Sequence, residues 1–129
     1  MGAVLLDTTV LIDALRGKAA AQRILGFRDS GDDPFVCAVN VEEVYRGLNR
    51  GEEEAAALLF RGMRVAPLAA EEGRRAGEWR RHFAQRGRTL SQADCLIAAA
   101  AVAVGARLVT GNPKDFPMRE VSIEHWPVG

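Results

Sequence analysis

Length, composition and charge restrict this chain to one ordinary folded domain. Its 129 residues are 48% hydrophobic and 26% charged, a composition typical of globular proteins rather than of disordered chains. A chain of this length buries roughly two thirds of its unfolded surface, so we expect a single domain, residues 1–129. Its 17 basic and 17 acidic residues cancel, so no overall electric field announces a polyanionic partner.

The apolar segments exclude a membrane span. The longest one, Cys95 to Ala106, has 12 residues, whereas crossing a bilayer takes about 20. Asp7 interrupts the first apolar run too early for a cleavable leader. The cysteines, Cys37 and Cys95, have neither zinc-site nor disulfide spacing. We therefore expect an intracellular, cytoplasmic protein with both thiols in the core.

The N-terminal half of the chain predicts a strand, two helices, a second strand and two more helices, in the order Ala3–Leu6, Thr9–Arg16, Ala19–Arg28, Phe35–Ala38, Asn40–Arg50 and Glu52–Phe60. Gly17 separates the first two helices, and turn-forming residues 30–34 precede the second strand. Asn40 is expected to cap the third helix, and Gly51 to end it.

The C-terminal half continues the alternation with a weak strand, two helices and two strands, in the order Val65–Pro67, Ala70–Gln85, Gln92–Val104, Arg107–Thr110 and Val121–Trp126. The helix that follows Ser91 is apolar on every face, so it should be buried on most sides. Alternating strands and helices predict an α/β fold with a mostly parallel sheet and helices on both faces.

Four acidic residues lie where a strand ends or a helix begins: Asp7, Glu43, Asp94 and Asp115. Each has a structural explanation, as a helix cap, a first-turn acid, part of a Ser91-x-x-Asp94 capping box, or a turn residue. Helical periodicity does not choose between Glu42 and Glu43. Gly47, one turn after Glu43, leaves room there for a ligand or another chain segment.

The positions of these acids predict a shared site. The carboxyl ends of parallel strands meet at one edge of a sheet, where ligands bind. Converging carboxylates repel one another unless their pKa values rise or a metal ion neutralises them. Oxygen ligands favour Mg²⁺ or Mn²⁺ over zinc. Such ions activate water and hold phosphoryl oxygens, so phosphodiester hydrolysis is the predicted reaction.

Four motifs in order resemble those of PIN-domain ribonucleases: Asp7-Thr-x-Val-Leu-Ile, Glu43-x-x-x-Gly47, Leu90-Ser-x-x-Asp94-x-x-Ile-Ala-Ala and Val109-Thr-x-Asn-x-x-Asp-Phe116. The resemblance covers nearly the whole chain, and the length suits the single-domain toxins of VapBC type II toxin–antitoxin systems. It implies a three-layer α/β/α fold with a 3-2-1-4-5 parallel sheet. It also implies a Mg²⁺-dependent endoribonuclease toxin, usually a homodimer, that is inhibited by a small VapB-like antitoxin.

The resemblance also assigns roles to residues of this chain. Asp7 and Asp94 would be the principal metal ligands, and Glu43 would bind metal or position water. Asp115 or Asn112 would complete the site. Two hydroxyls, Thr8 and Thr110, would orient their neighbours. Thr9 stands where the family commonly has asparagine, a departure expected to weaken the orientation of Asp7.

An arginine-rich segment is the one predicted phosphate-facing patch. Residues 73–90 contain six arginines and one acid, and from these we take Arg80, Arg81, Arg86 and Arg88 as RNA-binding candidates. Trp79, Tyr45 or Phe83 would stack bases. The competing interpretation is a solvated helix face in an arginine-rich chain. We expect His82 and His125 at the surface.

Three other functions compete with the nuclease. A phospho-acceptor receiver domain needs an acidic pair after the first strand and a lysine after the last; here Asp7 stands alone, and Lys114 shares the loop of Asp115. A dehalogenase-like phosphatase needs aspartate where Thr9 stands. A noncatalytic PIN-like module that binds RNA or protein is the remaining alternative, because a ligand set does not establish turnover.

Overall fold

A computed structural model describes residues 2–129, and over these residues the chain forms five strands and seven α-helices. The strands are β1 Gly2–Leu6, β2 Asp32–Val36, β3 Arg64–Val65, β4 Arg107–Thr110 and β5 Ile123–His125. The helices are α1 Thr8–Leu15, α2 Ala19–Leu25, α3 Phe27–Ser30, α4 Ala38–Arg46, α5 Glu53–Arg61, α6 Ala70–Ala84 and α7 Gln92–Ala103. A 3-10 helix, Pro113–Asp115, lies between β4 and β5.

All five strands pair in parallel in the order β3-β2-β1-β4-β5, which confirms the predicted sheet. The central strand β1 aligns Leu5 with Phe35 of β2, and Leu6 with Val109 of β4. The carboxyl ends of β1 and β4 therefore lie side by side, so that Asp7 and Thr110 are neighbours at the edge where α/β proteins bind ligands.

Helices cover both faces of the sheet, as predicted for a three-layer fold. Val4 and Leu6 face one apolar cluster with α1, α4 and α5, whereas Leu5 faces a second cluster with α6 and α7. All three side chains are fully buried, because a strand covered on both faces is apolar at successive positions. Cys95 and residues 97–101 of α7 are at most 1% exposed, which confirms that this helix is buried.

The second strand and the helix after it begin earlier than predicted. β2 covers residues 32–36 rather than Phe35–Ala38, and Pro34 is tolerated because it lies beyond the two residues that pair with β3. Asn40 is not the N-cap of α4: it lies in the first turn, where its Oδ1 accepts the backbone N–H of Cys37 at 2.8 Å. The helix ends at Arg46, with Gly47 and not Gly51 at its C-terminus.

Two other predicted boundaries also differ. The helix expected at Ala19–Arg28 divides at Gly26 into α2 and α3, and Phe27 is buried against Trp126 with ring centroids 5.5 Å apart. The first helix begins at Thr8 because Asp7 is its N-cap. Over residues 2–129 no helix is both long and apolar enough to cross a bilayer.

Asp13 ties α1 to α2 and to the C-terminal residues. Its carboxylate is 5% exposed and accepts the backbone N–H groups of Ala20 at 2.9 Å and Gly129 at 3.1 Å. Burial raises the pKa of Asp13, but these two hydrogen bonds and nearby positive charges outweigh it and lower the pKa. The charged form of Asp13 therefore stabilises the native state.

We expect Asp13→Ala to lower the free energy of unfolding by about 1–3 kcal/mol, because it leaves a buried N–H without an acceptor. A carboxyl group with a lowered pKa contributes stability above its unfolded value of 3.8 and loses it as the pH falls through the native pKa. The difference between variant and parent should therefore shrink in acid. Urea denaturation from pH 7 to pH 3 measures it. The exposed Asp29→Ala serves as control, and equal losses for both would contradict the prediction.

Candidate active site

Asp7 is the most deeply buried acid at the carboxyl edge of the sheet. Its backbone N–H continues the sheet pairing by donating to the Val109 carbonyl at 2.9 Å. The carboxylate, in a residue only 5% exposed, accepts the N–H of Thr8 at 2.9 Å and the hydroxyl of Thr110 at 2.7 Å. These contacts fix its orientation from both the helix and β4.

A chain of hydrogen bonds joins Glu43 to the same edge. The Thr8 hydroxyl donates to Glu43 Oε1 at 2.6 Å and accepts from Asn40 Nδ2 at 3.2 Å. Glu42 instead forms an exposed ion pair with Arg46 at 3.0 Å, and Glu43 lies 4.0 Å from the same guanidinium. These contacts distinguish the two glutamates, which periodicity left open: Glu43 is bonded to Thr8, the residue next to Asp7, whereas Glu42 is exposed.

Asp94 enters the site from the first turn of α7. Ser91 caps this helix, and its hydroxyl oxygen accepts the backbone N–H of Asp94 at 3.0 Å. Burial raises the pKa of Asp94, the hydrogen bond to Ser91 opposes this, and the negative charges of Asp115 and Glu43 raise it further, so that it is raised overall. Helix capping and a position in the acidic site therefore coexist in this residue.

The loop after β4 brings the fourth acid. Asp115 ends the 3-10 helix, partly buried, and its charge acts on Asp94. Asn112 is exposed, and its backbone N–H donates to the Thr110 hydroxyl at 3.0 Å. Of the two residues proposed to complete the site, Asp115 acts on Asp94 through its charge, whereas Asn112 contacts Thr110 through its backbone N–H.

The four acids form one electrostatic group. Burial is the main cause that raises the pKa of Asp7, and the charges of Asp94 and Glu43 add to it, against the hydrogen bonds from Thr110 and Thr8. Neither Asp7 nor Asp94 has a Lys or Arg within 4.0 Å among residues 2–129. Asp7 and Asp94 therefore hold negative charge with no basic side chain of residues 2–129 in ion-pair contact, whereas Glu43 lies 4.0 Å from Arg46.

The oxygen donors suit a divalent ion that keeps most of its water ligands better than an ion enclosed by protein ligands alone. Within residues 2–129, no three His, Cys, Asp or Glu side chains lie close enough to form a ready-made metal cluster. Mg²⁺ usually keeps several waters and takes one or two carboxylates together with substrate phosphates. An open site of oxygen donors, with Asp7 and Asp94 uncompensated, meets that requirement.

Some residues at the site have roles that the sequence did not reveal. Asn40, predicted as a helix cap, links Cys37 to Thr8 instead. The Thr9 hydroxyl lies 3.4 Å from Asp7 Oδ2 and accepts the Gly111 N–H at 3.1 Å, so it connects the start of α1 to the loop after β4. The two contacts join residues that are separated by 32 and by 102 positions in the sequence. No local sequence pattern predicts contacts over such separations.

The four predicted RNA-binding arginines have different surroundings. Two of them brace loops: Arg80 Nε donates to the Leu90 carbonyl at 3.2 Å, and Arg88 donates to the Lys114 carbonyl. Arg81 is exposed on α6, and Arg86 lines a cleft beside Trp79 and Phe83. Tyr45, the third proposed stacking residue, lies on Phe60 instead, with ring centroids 6.0 Å apart. His82 and His125 are exposed, as expected.

These features define an open parallel α/β domain with a group of acidic residues near the carboxyl ends of its central strands. The PIN domain profile matches residues 4–121. Ribonuclease VapC10 of Mycobacterium tuberculosis is 32% identical over 117 residues, which cover 91% of this chain and 88% of the relative. The chain belongs to the PIN-domain family.

Solved structures agree with this fold. VapBC2 from Rickettsia felis, bound to a DNA fragment from its promoter, superposes with a TM-score of 0.82 at 21% identity, covering 96% of this chain and 98% of that one. VapBC-5 from Mycobacterium tuberculosis, a member of the VapBC family of toxin–antitoxin systems, superposes with a TM-score of 0.67 at 20% identity, covering 96% and 98%. At these identities the likeness concerns the fold.

Proposed function

We propose that this protein is a Mg²⁺-dependent endoribonuclease and the toxin of a toxin–antitoxin pair. The observation that carries the proposal is the group formed by Asp7, Glu43, Asp94 and Asp115 at the carboxyl ends of β1 and β4, in which burial and mutual repulsion raise the pKa values of Asp7 and Asp94. Its membership of the PIN-domain family and its likeness to a VapC ribonuclease support the choice of RNA as substrate.

Each residue of the site has a proposed task. Asp7 and Asp94 hold Mg²⁺, for which Mn²⁺ can substitute, and Glu43 binds metal or positions the attacking water. Thr110 and Thr8 hold the carboxylates of Asp7 and Glu43 in place. When bound, the metal polarises a phosphoryl oxygen and lowers the pKa of water. Asp115 adds negative charge beside Asp94.

The partner is proposed from the solved structures that share this fold. The fold matches chains of VapBC2 and of VapBC-5, from a toxin–antitoxin family. We propose that this chain likewise forms a homodimer that binds a small VapB-like antitoxin. Copurification with the product of a neighbouring short gene, followed by light scattering, measures both associations.

Cleavage of a structured RNA pool tests the activity itself. The purified protein should cut this RNA with Mg²⁺ and stop when EDTA is added, and Mn²⁺ should restore cutting. RNA that is bound but never cut would instead identify a noncatalytic RNA-binding module. Cutting that persists in EDTA would contradict a metal-dependent site.

Mn²⁺ should raise the melting temperature of the protein. A ligand that binds only the native state stabilises it by about 2.7 kcal/mol at 100 times its dissociation constant. For a domain of this size, that energy corresponds to a shift of roughly 5–15 °C. A Mn²⁺ titration followed by thermal denaturation measures it. NaCl at the same ionic strength, without Mn²⁺, is the control. An unchanged melting curve at millimolar Mn²⁺ would count against the proposed metal site.

Thr110→Val should weaken Mn²⁺ binding by about 10- to 100-fold, as expected when a group that orients a metal ligand is removed. The substitution keeps the shape of a fully buried side chain but deletes the hydroxyl that donates to Asp7 at 2.7 Å. The Mn²⁺ concentration needed for half of the thermal shift provides the measurement. The exposed Thr89→Val is the matched control, and an equal response in both variants would refute a role for Thr110.

A further inference from the structure

A cleft lies between α6 and residues 117–120, and none of the four acids lines it. Its volume is about 720 Å³, within the usual range of ligand sites. Its cations are Arg75, Arg86 and Arg119, and its aromatic side chains are Trp79 and Phe83. We call these three cations the cleft arginines. The proposed catalytic chemistry does not use this cleft.

The charge in this cleft is available to an anion. Among residues 2–129, no carboxylate lies within 4.0 Å of a cleft arginine. The two acids that line the cleft have other partners: Glu78 pairs with Arg74 at 2.6 Å, and Glu120 accepts the Trp79 indole N–H at 3.3 Å. Three guanidinium groups therefore face a cavity in which both carboxylates are engaged.

The aromatic side chains give the cleft a surface on which a flat ring can stack. The Arg75 guanidinium lies over the Trp79 ring, 5.8 Å from its centroid. Phe83 is half-buried, and the exposed His82 ring meets it edge to face at 5.3 Å. Proteins that hold single-stranded nucleic acid combine such stacking surfaces with a cationic groove.

Two loops connect the cleft with the acidic site. Pro117 lines the cleft and follows Asp115 by two residues, so their Cα atoms are at most about 7 Å apart. On the other side, Arg86 lines the cleft, and Arg88 donates to the carbonyl of Lys114, the residue before Asp115. The end of the cleft at Pro117 therefore lies close to Asp115, so an RNA strand bound at that end would pass near the acidic site.

We propose that this cleft binds the substrate RNA beside the bond that is cut, with phosphates on the cleft arginines and a base on Phe83. The proposal rests on the proposed ribonuclease function and adds a binding site to it. Single-stranded RNA is favoured over an acidic peptide because the cleft combines cations with aromatic rings, whereas a carboxylate-rich peptide would need only the cations. Recognition here depends on backbone charge and stacking, so it tolerates many sequences.

Binding of a fluorescein-labelled single-stranded RNA, followed by anisotropy in EDTA, tests the proposal without cleavage. Arg86→Gln/Arg119→Gln should weaken binding about tenfold or more at 0.1 M salt. It should also reduce the slope of log Kd against log salt by about 1.4, or about 0.7 for each lost phosphate contact. Arg50→Gln/Arg61→Gln removes the same charge from exposed arginines elsewhere, and should change neither quantity beyond a small general effect.

A third variant separates stacking from charge. Phe83→Leu keeps an apolar side chain but removes the ring, so it should weaken RNA binding several-fold with an unchanged salt slope. Melting temperatures close to that of the parent establish that the variants are folded. Equal affinity and slope in the two arginine pairs would overturn the proposal. So would a polyglutamate peptide that displaces the RNA as well as unlabelled RNA does.

The test distinguishes this proposal from the ribonuclease function. If the parent cuts RNA and the two double arginine variants have the same RNA affinity and salt slope, only the proposed role of the cleft is overturned. RNA binding that depends on Arg86 and Arg119, without any metal-dependent cutting, would support the cleft as an RNA-binding site and reject the nuclease function. Failure of the parent to bind RNA at all would reject both.

Discussion

Asp94→Asn is expected to slow Mg²⁺-dependent RNA cleavage about 10³-fold while the protein stays folded. The amide has the shape of the carboxylate, and the Ser91 hydroxyl can still accept the backbone N–H of residue 94, so the start of α7 is kept. The substitution removes a charge that is proposed to hold the metal. Losing one group that stabilises developing charge typically costs 10²- to 10³-fold in rate, and loss of the metal with it brings the larger value.

Single-turnover cleavage of a labelled RNA at saturating protein measures this loss. Asp29→Asn is the matched control, because it makes the same chemical change at an exposed position of α3. The control should cut at the parental rate. If Asp94→Asn cuts at more than about a tenth of that rate, with the same Mg²⁺ requirement, then Asp94 is not the metal ligand that we propose.

The sheet was predictable because its signals are local and strong. Val4 to Leu6 form an uninterrupted apolar run that ends at an acid, as expected for a strand buried on both faces. The helix after Ser91 is apolar all round, so its burial followed directly from composition. The strand order could not be predicted from these local signals. Alternation of strands and helices predicts only a parallel sheet, and the order 3-2-1-4-5 came from the family resemblance.

Neither the start of β2 nor the start of α4 was predictable from local preference. Residues 30–34 carry turn-forming side chains, yet Asp32 and Asp33 begin a strand. Tertiary contacts override the local preference, because Asp32 pairs with Arg107 of β4 at 3.1 Å. In the same way, Asn40 matches the pattern of an N-cap, but it lies inside the first turn of α4 and its side chain accepts the backbone N–H of Cys37.

The nearness of the four acids could be predicted from the topology, whereas their individual surroundings could not. Each lies at the end of a strand or the start of a helix, and parallel topology brings those ends together. The choice of Glu43 over Glu42 depends on the Thr8 hydroxyl, which is 35 residues away. The roles of the arginines could not be predicted from sequence either. In one segment, Arg88 bonds to the carbonyl of Lys114 whereas Arg86 lines the cleft, and only the tertiary structure distinguishes the two.

Asp7→Asn is expected to abolish metal-dependent cleavage and yet stabilise the protein in EDTA. Asp7 is the most buried of the four acids, and burial, with added repulsion from Asp94 and Glu43, raises its pKa. Without metal at neutral pH, its charge therefore opposes folding. An amide oxygen at this position can still accept the Thr8 N–H, so the variant loses the repulsion but keeps the helix cap. The stabilisation by Mn²⁺ should disappear with the charge.

The pH dependence gives this expectation a definite sign. A carboxyl group with a raised native pKa binds more protons in the folded state, so its stabilising effect is complete below the unfolded value of 3.8 and is lost as the pH rises through the native pKa. The melting temperature of Asp7→Asn in EDTA, minus that of the parent, should therefore increase from pH 4 to pH 7. Above the native pKa it should level off. A variant that melts below the parent at pH 7 in EDTA and is still stabilised by Mn²⁺ would show that Asp7 is a structural cap, because a cap without a metal role loses stability when its charge is removed.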